Sequence, residues 1–165
     1  MNFSTETSNL VLRTFQMTDA NDYFNMVQDP SIQKYTEGAY IDNLPETEFC
    51  FKTIYTKPDL KNDFYIAVEE KASHKLIGAI IVVRTIGQTY EASYFISKNF
   101  RGNGYMKEAL QQFLKEISVF MCGCITFDVH KSNHASLAVV KSIDGIQDSI
   151  SNEFSQMEKF FYHVR

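Results

Sequence analysis

Two glycines, Gly102 and Gly104, stand in Asn99-Phe100-Arg101-Gly102-Asn103-Gly104, between a stretch that alternates like a strand and one that repeats like a helix. Glycine permits positive φ and lets a ligand approach the main chain closely. Successive backbone N–H groups in such a turn converge into a concave anion site, and the N-terminus of the next helix adds partial positive charge. Arg101 could add a full charge. Two or three charge-assisted hydrogen bonds of about 1.5–3 kcal/mol each would hold a diphosphate. The same Gly-x-Gly pattern also suits a tight connection that binds nothing, and on the glycines alone both readings stand. A P-loop is excluded because no Gly-Lys-Ser/Thr follows. A dinucleotide fold does not fit, since the third glycine and the acid ending the next strand are missing.

Other reactive side chains are sparse. Cys122-Gly123-Cys124 with His130 or His134 could be spelled as a metal site, but the cysteines read better as buried small hydrophobes, and no metal is expected. His130 and His134 flank Asn133; either could be a base, though a surface or core histidine is the simpler reading.

The elements that must position this loop follow from periodicity. Leu10–Phe15 alternates as a strand. Thr18 can cap a helix from Asp19 to about Gln28, stopped by Asp29-Pro30. A second helix starts near Pro45, ends at Lys57-Pro58-Asp59, and should carry Phe51, Ile54 and Tyr55 inward. Residues 64–69, 76–84 and 90–96 form an antiparallel meander, with the nearly all-apolar middle strand covered on both faces. After the glycine loop, Met106, Ala109, Leu110, Phe113, Leu114 and Ile117 recur at helical spacing in a helix that ends near Gly123. Cys124–His130 is a strand, Ala135 to about Ile143 a short helix, and 160–164 a final strand; 147–158 carries no clear pattern. The order β-α-α-β-β-β-loop-α-β-α-β is an α+β plan, with helices packed on a mixed, mostly antiparallel central sheet. The strand-helix-strand unit should cross over right-handed, which makes its two strands parallel.

Length and charge bound the function. The 165 residues, 44% hydrophobic and 22% charged, suit one domain spanning 1–165. Sixteen Lys+Arg against 20 Asp+Glu give −4, with no basic stripe, so no nucleic-acid partner is expected. The opening residues lack the basic and apolar regions of a signal peptide, and Ala79–Val83, the longest apolar run, is far too short to span a bilayer. Three cysteines without framework spacing fit free thiols in a reducing, cytoplasmic setting. No membrane association is expected; a homodimer would be unremarkable.

Four segments resemble, in order and spacing, the GNAT acetyltransferase superfamily, and within it the bacterial-type ribosomal-protein N-terminal acetyltransferases. These are Leu10-Val11-Leu12-Arg13 with Asp19-Ala20, Glu91–Ile96, Arg101-Gly102-Asn103-Gly104-Tyr105-Met106 with Glu108-Ala109-Leu110, and Asn133-His134-Ala135-Ser136. The likeness runs from Leu10 to about Gly145. It implies a sheet splayed open between two parallel strands, with the pantetheine arm of acetyl-CoA, the acyl donor, in the opening. It further implies that backbone groups of Arg101, Gly102, Asn103, Gly104, Tyr105 and Met106 hold the pyrophosphate. The strand end at Phe95, Ile96 and Ser97 would pair with the pantetheine amides, and Asn133 would touch the arm from the other side. By the same likeness Glu91 is the base, directly or through water, and Ser136 the acid toward the leaving thiolate.

Three positions depart from the family pattern. Asn99 stands where Arg or Gln is usual, Val140 where many members place an acidic-role Tyr, and Asp144-Gly145 replaces Gly-Phe before a short C-terminal hairpin.

The acceptor expected is a primary amine, on a peptide N-terminus or a small molecule. At pH 7 an α-amine costs about 1 kcal/mol to deprotonate, whereas a lysine costs about 4.6 kcal/mol. The rival class is a GNAT-like module that binds CoA or a protein partner without turnover.

Overall fold

The structure, a computed structural model, describes residues 3–36, 41–57, 63–149 and 155–164. Along β2 (Leu10–Thr14) Leu10, Leu12 and Thr14 are buried while Val11 and Arg13 are half-buried, as period-two patterning requires. β1 (Ser4–Glu6), not foreseen, pairs with β2 as an edge strand. Arg13 forks onto Asp19 at 2.7 and 2.9 Å and places Nε 2.8 Å from Glu69 of β3 (Asp63–Glu70), so one guanidinium ties two strands to the start of the first helix.

That helix, α1 (Ala20–Val27), follows a 3-10 turn at Met17–Asp19. Thr18 is exposed and does not cap it; the buried Asp19 carboxylate accepts the Gln16 N–H at 2.8 Å instead. Pro30 does more than stop α1. With Asp29 as its cap it opens a short α2 (Pro30–Gln33), where a missing N–H costs nothing. α3 (Leu44–Cys50), capped by Asn43, runs into a π-helical turn at Phe51–Tyr55. The wider turn sets Phe51 edge-on to Tyr55 and leaves Ile54 43% exposed, against the expectation that it packs inward. Pro58 and Asp59, expected to end this helix, lie outside the described residues.

β4 (Lys75–Arg84) is covered on both faces, as expected. A register shift opposite Val68/Glu69 makes Ile77 an extra residue, so Ile77 and Ile80 share one core while Leu76 and Ala79 share the other. β5 (Thr89–Ile96) completes the meander; α4 (Tyr105–Ile117), β6 (Gly123–His130), α5 (His134–Lys141), β7 (Ile146–Asp148) and β8 (Met157–Val164) follow. Gly123 opens β6 rather than closing the helix. The C-terminal hairpin of β7 and β8 is short, as expected, with three paired positions, while β8 pairs with β6 over eight.

The described strands form one sheet ordered β1-β2-β3-β4-β5-β6-β8-β7, antiparallel throughout except for β5–β6. That pair is parallel and touches only at Thr89–Glu91 against Cys124–Thr126. Beyond it both strands continue apart. One core, under α4 and α5, holds Phe113, Phe127 and Phe160; the other, under α1 and α3, holds Tyr23, Phe51 and Phe95. Among the described residues no helix is long and apolar enough to cross a membrane.

Candidate active site

The opening between β5 and β6 has an unpaired edge. Thr126 Oγ1 reaches Tyr90 C=O at 3.2 Å, so the Tyr90 backbone faces β6. Backbone polarity alternates along a strand, which turns the amides of Ala92, Tyr94 and Ile96 the same way, where β6 has already diverged. Phe95 and Ser97 face the other way. The Phe95 side chain is in the α1 core and its carbonyl lies against Gly78, while the Ser97 N–H donates to Ile77 C=O at 2.7 Å. Of the three strand-end residues singled out for pantetheine, Ile96 is therefore the one turned toward the opening, with its C=O already taken by Arg101 Nε at 3.1 Å.

A cavity of about 490 Å³ fills the opening, walled by α2 and the residues after it, β5, the glycine loop, α4 and α5. At its far end Gly102 and Gly104 have φ of +81° and +77°. A Cβ at either would meet no atom within 4 Å, so the backbone conformation, not crowding, demands glycine. Gly104 caps α4, whose first hydrogen bond runs from Glu108 N–H to Gly104 C=O at 3.0 Å. The N–H groups of Tyr105, Met106 and Lys107 precede that ladder. Tyr105 and Glu108 clamp this end of the helix, through 2.9 Å bonds to Glu70 and Asn9. The Met106 side chain is buried in the core, which leaves its main chain for a ligand. Asn103 closes the turn onto Phe100 and Arg101 carbonyls at 3.2 and 3.4 Å.

Arg101 is not a free charge. Its guanidinium meets Asp29 at 3.0 Å, Ser31 at 2.8 Å and Ile96 C=O at 3.1 Å, strapping α2 to the loop. Lys107, which the helical pattern puts on the solvent face, lines the cavity with no ion-pair partner among the described residues. A lysine in the first turn after a glycine loop was the available signal for it.

On the cavity wall Ser136 Oγ and Tyr94 OH lie 2.5 Å apart, and Tyr94 OH also reaches Ser136 C=O at 3.2 Å. Burial pushes the Tyr94 hydroxyl up to about 12, although the Ser136 bond pulls it back in part. Tyr94 thus stays protonated at neutral pH. In the sequence Tyr94 stands out only as part of the strand segment Glu91–Ile96. Val140, the position where a tyrosine was missed, is fully buried in the core. Asn133 caps α5 by accepting the Ser136 N–H at 3.2 Å, and its Nδ2 has no partner among the described residues.

Glu91 is exposed at the closed end of the strand pair, paired with Thr126, and is not on the cavity wall. His134 is exposed; His130 Nδ1 sits 2.8 Å from Ser132 Oγ, which lies 3.1 Å from Tyr35 OH. Cys122 is exposed and Cys124 half-buried, so neither is the buried hydrophobe expected. No metal-binding cluster occurs among the described residues. Tyr162 packs on Gly145 and Leu114, away from the cavity.

A profile described as the acetyltransferase (GNAT) domain matches residues 9–145. The chain belongs to the GNAT acetyltransferase family. Its fold is similar to that of spermidine N-acetyltransferase from Vibrio cholerae, solved with CoA and spermine (TM-score 0.76, 18% identity, 96% of this chain and 97% of that one). It is similar to RimL, the ribosomal L7/L12 alpha-N-protein acetyltransferase, solved with CoA (TM-score 0.79, 13% identity, 96% of each chain). A GNAT acetyltransferase from Bacillus anthracis matches at TM-score 0.73 and 17% identity, over 97% of this chain and 96% of that one. A search of curated proteins finds no significant match. The expected GNAT-like sheet is borne out by the single parallel pair β5–β6 in an otherwise antiparallel sheet. The residues of this GNAT domain also suit a CoA-type donor: helix-start N–H groups, a strand edge turned toward the opening and a hydroxyl pair all border one cavity.

Proposed function

We propose that this GNAT domain moves the acetyl group of acetyl-CoA to a primary amine, on a peptide N-terminus or a small molecule, by direct attack. The observation that carries the reading is continuity. One cavity joins the α4 N–H groups, the open edge of β5 and the Ser136–Tyr94 pair. Main-chain groups from Arg101 to Met106 take the pyrophosphate, and Lys107 supplies the charge that Arg101 lends to Asp29. The pantetheine amides pair with β5 at Ile96 and neighbouring open-edge groups, with Asn133 Nδ2 opposite.

The neutral amine attacks the thioester carbon, the C–S bond breaks, and the thiolate takes a proton from the Ser136–Tyr94 hydroxyls. Glu91 acts as base through water along the face it shares with Ser93, because it is set back from the wall. That a spermidine acetyltransferase and a ribosomal-protein acetyltransferase share this fold supports amine acceptors of either kind.

The test is a titration with acetyl-CoA followed by thiol release with an amine panel. Binding with release is expected. Absence of binding at millimolar concentration refutes the reading, and binding without release favours a CoA-binding module without turnover. Glu91→Gln should remove the acidic limb of the pH–rate profile; an unchanged profile excludes Glu91 as base.

A further inference from the structure

α2 is a weak element that forms a wall. It is four residues long, too short to hold its own shape, and of its residues only Ile32 is buried. Yet Ser31, Ile32 and, just beyond the helix, Tyr35 and Thr36 line the large cavity. Something other than the helix must fix where this wall stands. At its far end Tyr35 OH meets Ser132 Oγ at 3.1 Å, an exposed contact without charge. At its near end stands a closed ring of bonds. Arg101 Nη2 donates to Asp29 Oδ2 at 3.0 Å, and Nη1 to Ser31 Oγ at 2.8 Å. Ser31 in turn donates its hydroxyl to Asp29 Oδ1 at 2.7 Å and its N–H to the same oxygen at 2.9 Å. The third guanidinium nitrogen, Nε, holds Ile96 C=O at the end of β5 at 3.1 Å.

We propose that Arg101 is a positioning residue: its side chain is a strut that fixes the distance from the α2 wall to the glycine loop and the end of β5, and so the alignment of acceptor on donor. The last clause rests on the acetyltransferase reading; the strut itself does not. Each of the three guanidinium nitrogens has a partner, and so has each Asp29 oxygen, which suits a fixed tie and not a second anchor for the donor's phosphates. The Ser31 bonds, with Arg101 and Lys98 nearby, hold the Asp29 carboxyl below the usual carboxylate range, so the pair stays charged at neutral pH. Only a planar fork serves three partners from separate segments at once; a lysine ammonium is a point charge on a flexible stem. A displacement of about 1 Å can cost about a hundredfold in rate, so the place of this wall matters to the reaction.

The first arm of the experiment needs no ligand. The N–H groups of Gln33, Lys34 and Thr36 donate to the Asp29, Pro30 and Ile32 carbonyls, bonds in which Arg101 has no part. Their hydrogen exchange in the full chain should speed up about tenfold or more in Arg101→Gln and in Asp29→Asn, with the β4 amides unchanged. Asparagine caps a helix as well as aspartate does, so Asp29→Asn removes the strut and keeps the cap. The double variant should exchange no faster than either single one, since both break one contact. Arg101→Lys keeps the charge without the fork and should still exchange fast. Unchanged exchange, additive effects, or full rescue by lysine overturns the proposal.

A kinetic arm separates position from donor binding. In Asp29→Asn, kcat/KM for the amine should fall about tenfold while acetyl-CoA affinity changes less than about twofold. An unchanged kcat/KM, or a loss of acetyl-CoA affinity as large as the loss in kcat/KM, also overturns the proposal. A wild-type chain that binds no acetyl-CoA refutes the acetyltransferase reading instead, and hydrogen exchange still decides the strut.

Discussion

At the scale of single residues the chemistry depends on conformations that few side chains tolerate. Gly104 sits at φ +77° with open space around it, so Gly104→Val strains the backbone without a clash. Left-handed geometry costs a β-branched residue at least about 1–2 kcal/mol. Relieving it turns the loop amides away. Acetyl-CoA affinity should fall more than about tenfold, measured by calorimetry; unchanged affinity removes the loop from donor binding. The hydroxyl pair makes a second prediction. Ser136→Ala or Tyr94→Phe should lower kcat by about a hundredfold with little change in the KM for acetyl-CoA, and the double variant should lose little more, since the two act as one donor. Additive losses would mean that they act separately.

The elements show where local pattern was enough. The period of α4 was legible because Ala109, Leu110, Phe113 and Ile117 repeat on one face, and all are buried under the sheet. β1 and β7 were not legible, since three-residue edge strands are too short to show a period, and only pairing with β2 and β8 defines them. The π turn after α3 was equally hidden; it adds a residue to a turn without a sequence marker and rotates Ile54 outward. Gly123 illustrates a close approach. A Cβ there would lie 2.1 Å from Gln88 C=O, at the start of the parallel pair. Gly123→Ala should destabilise the fold by more than about 2 kcal/mol in urea unfolding, because the neighbour is backbone and cannot step aside. A loss under about 0.5 kcal/mol would show that β6 shifts freely.

For the whole molecule, buried tyrosines couple the fold to pH. Burial pushes Tyr94 and Tyr65 up to about 12, and Tyr23 and Tyr55 rise as well. A raised phenol contributes stability that is present below its unfolded value near 10 and is lost as pH rises through the folded value. Urea midpoints should therefore hold between about pH 7 and 9 and fall from about pH 10 toward 12. A flat profile would show that these hydroxyls ionise in place. Acetyl-CoA at about a hundredfold excess over its Kd should raise stability by about 2.7 kcal/mol if it binds only the folded chain.

By itself the amino-acid order determined what short-range physics controls: the glycine bend, the amphipathic helix behind it, the alternation of the meander, and hence the family likeness. Tertiary structure alone decided which groups face one another. Arg101 is bound to Asp29, 72 residues away, and Tyr94 to Ser136, 42 residues away. Glu91 stands off the cavity wall while Lys107 lines it. Periodicity names the face a side chain takes on its own element, but partners across a splayed sheet depend on register and on where two strands part, and those are set by packing over distances no local pattern spans.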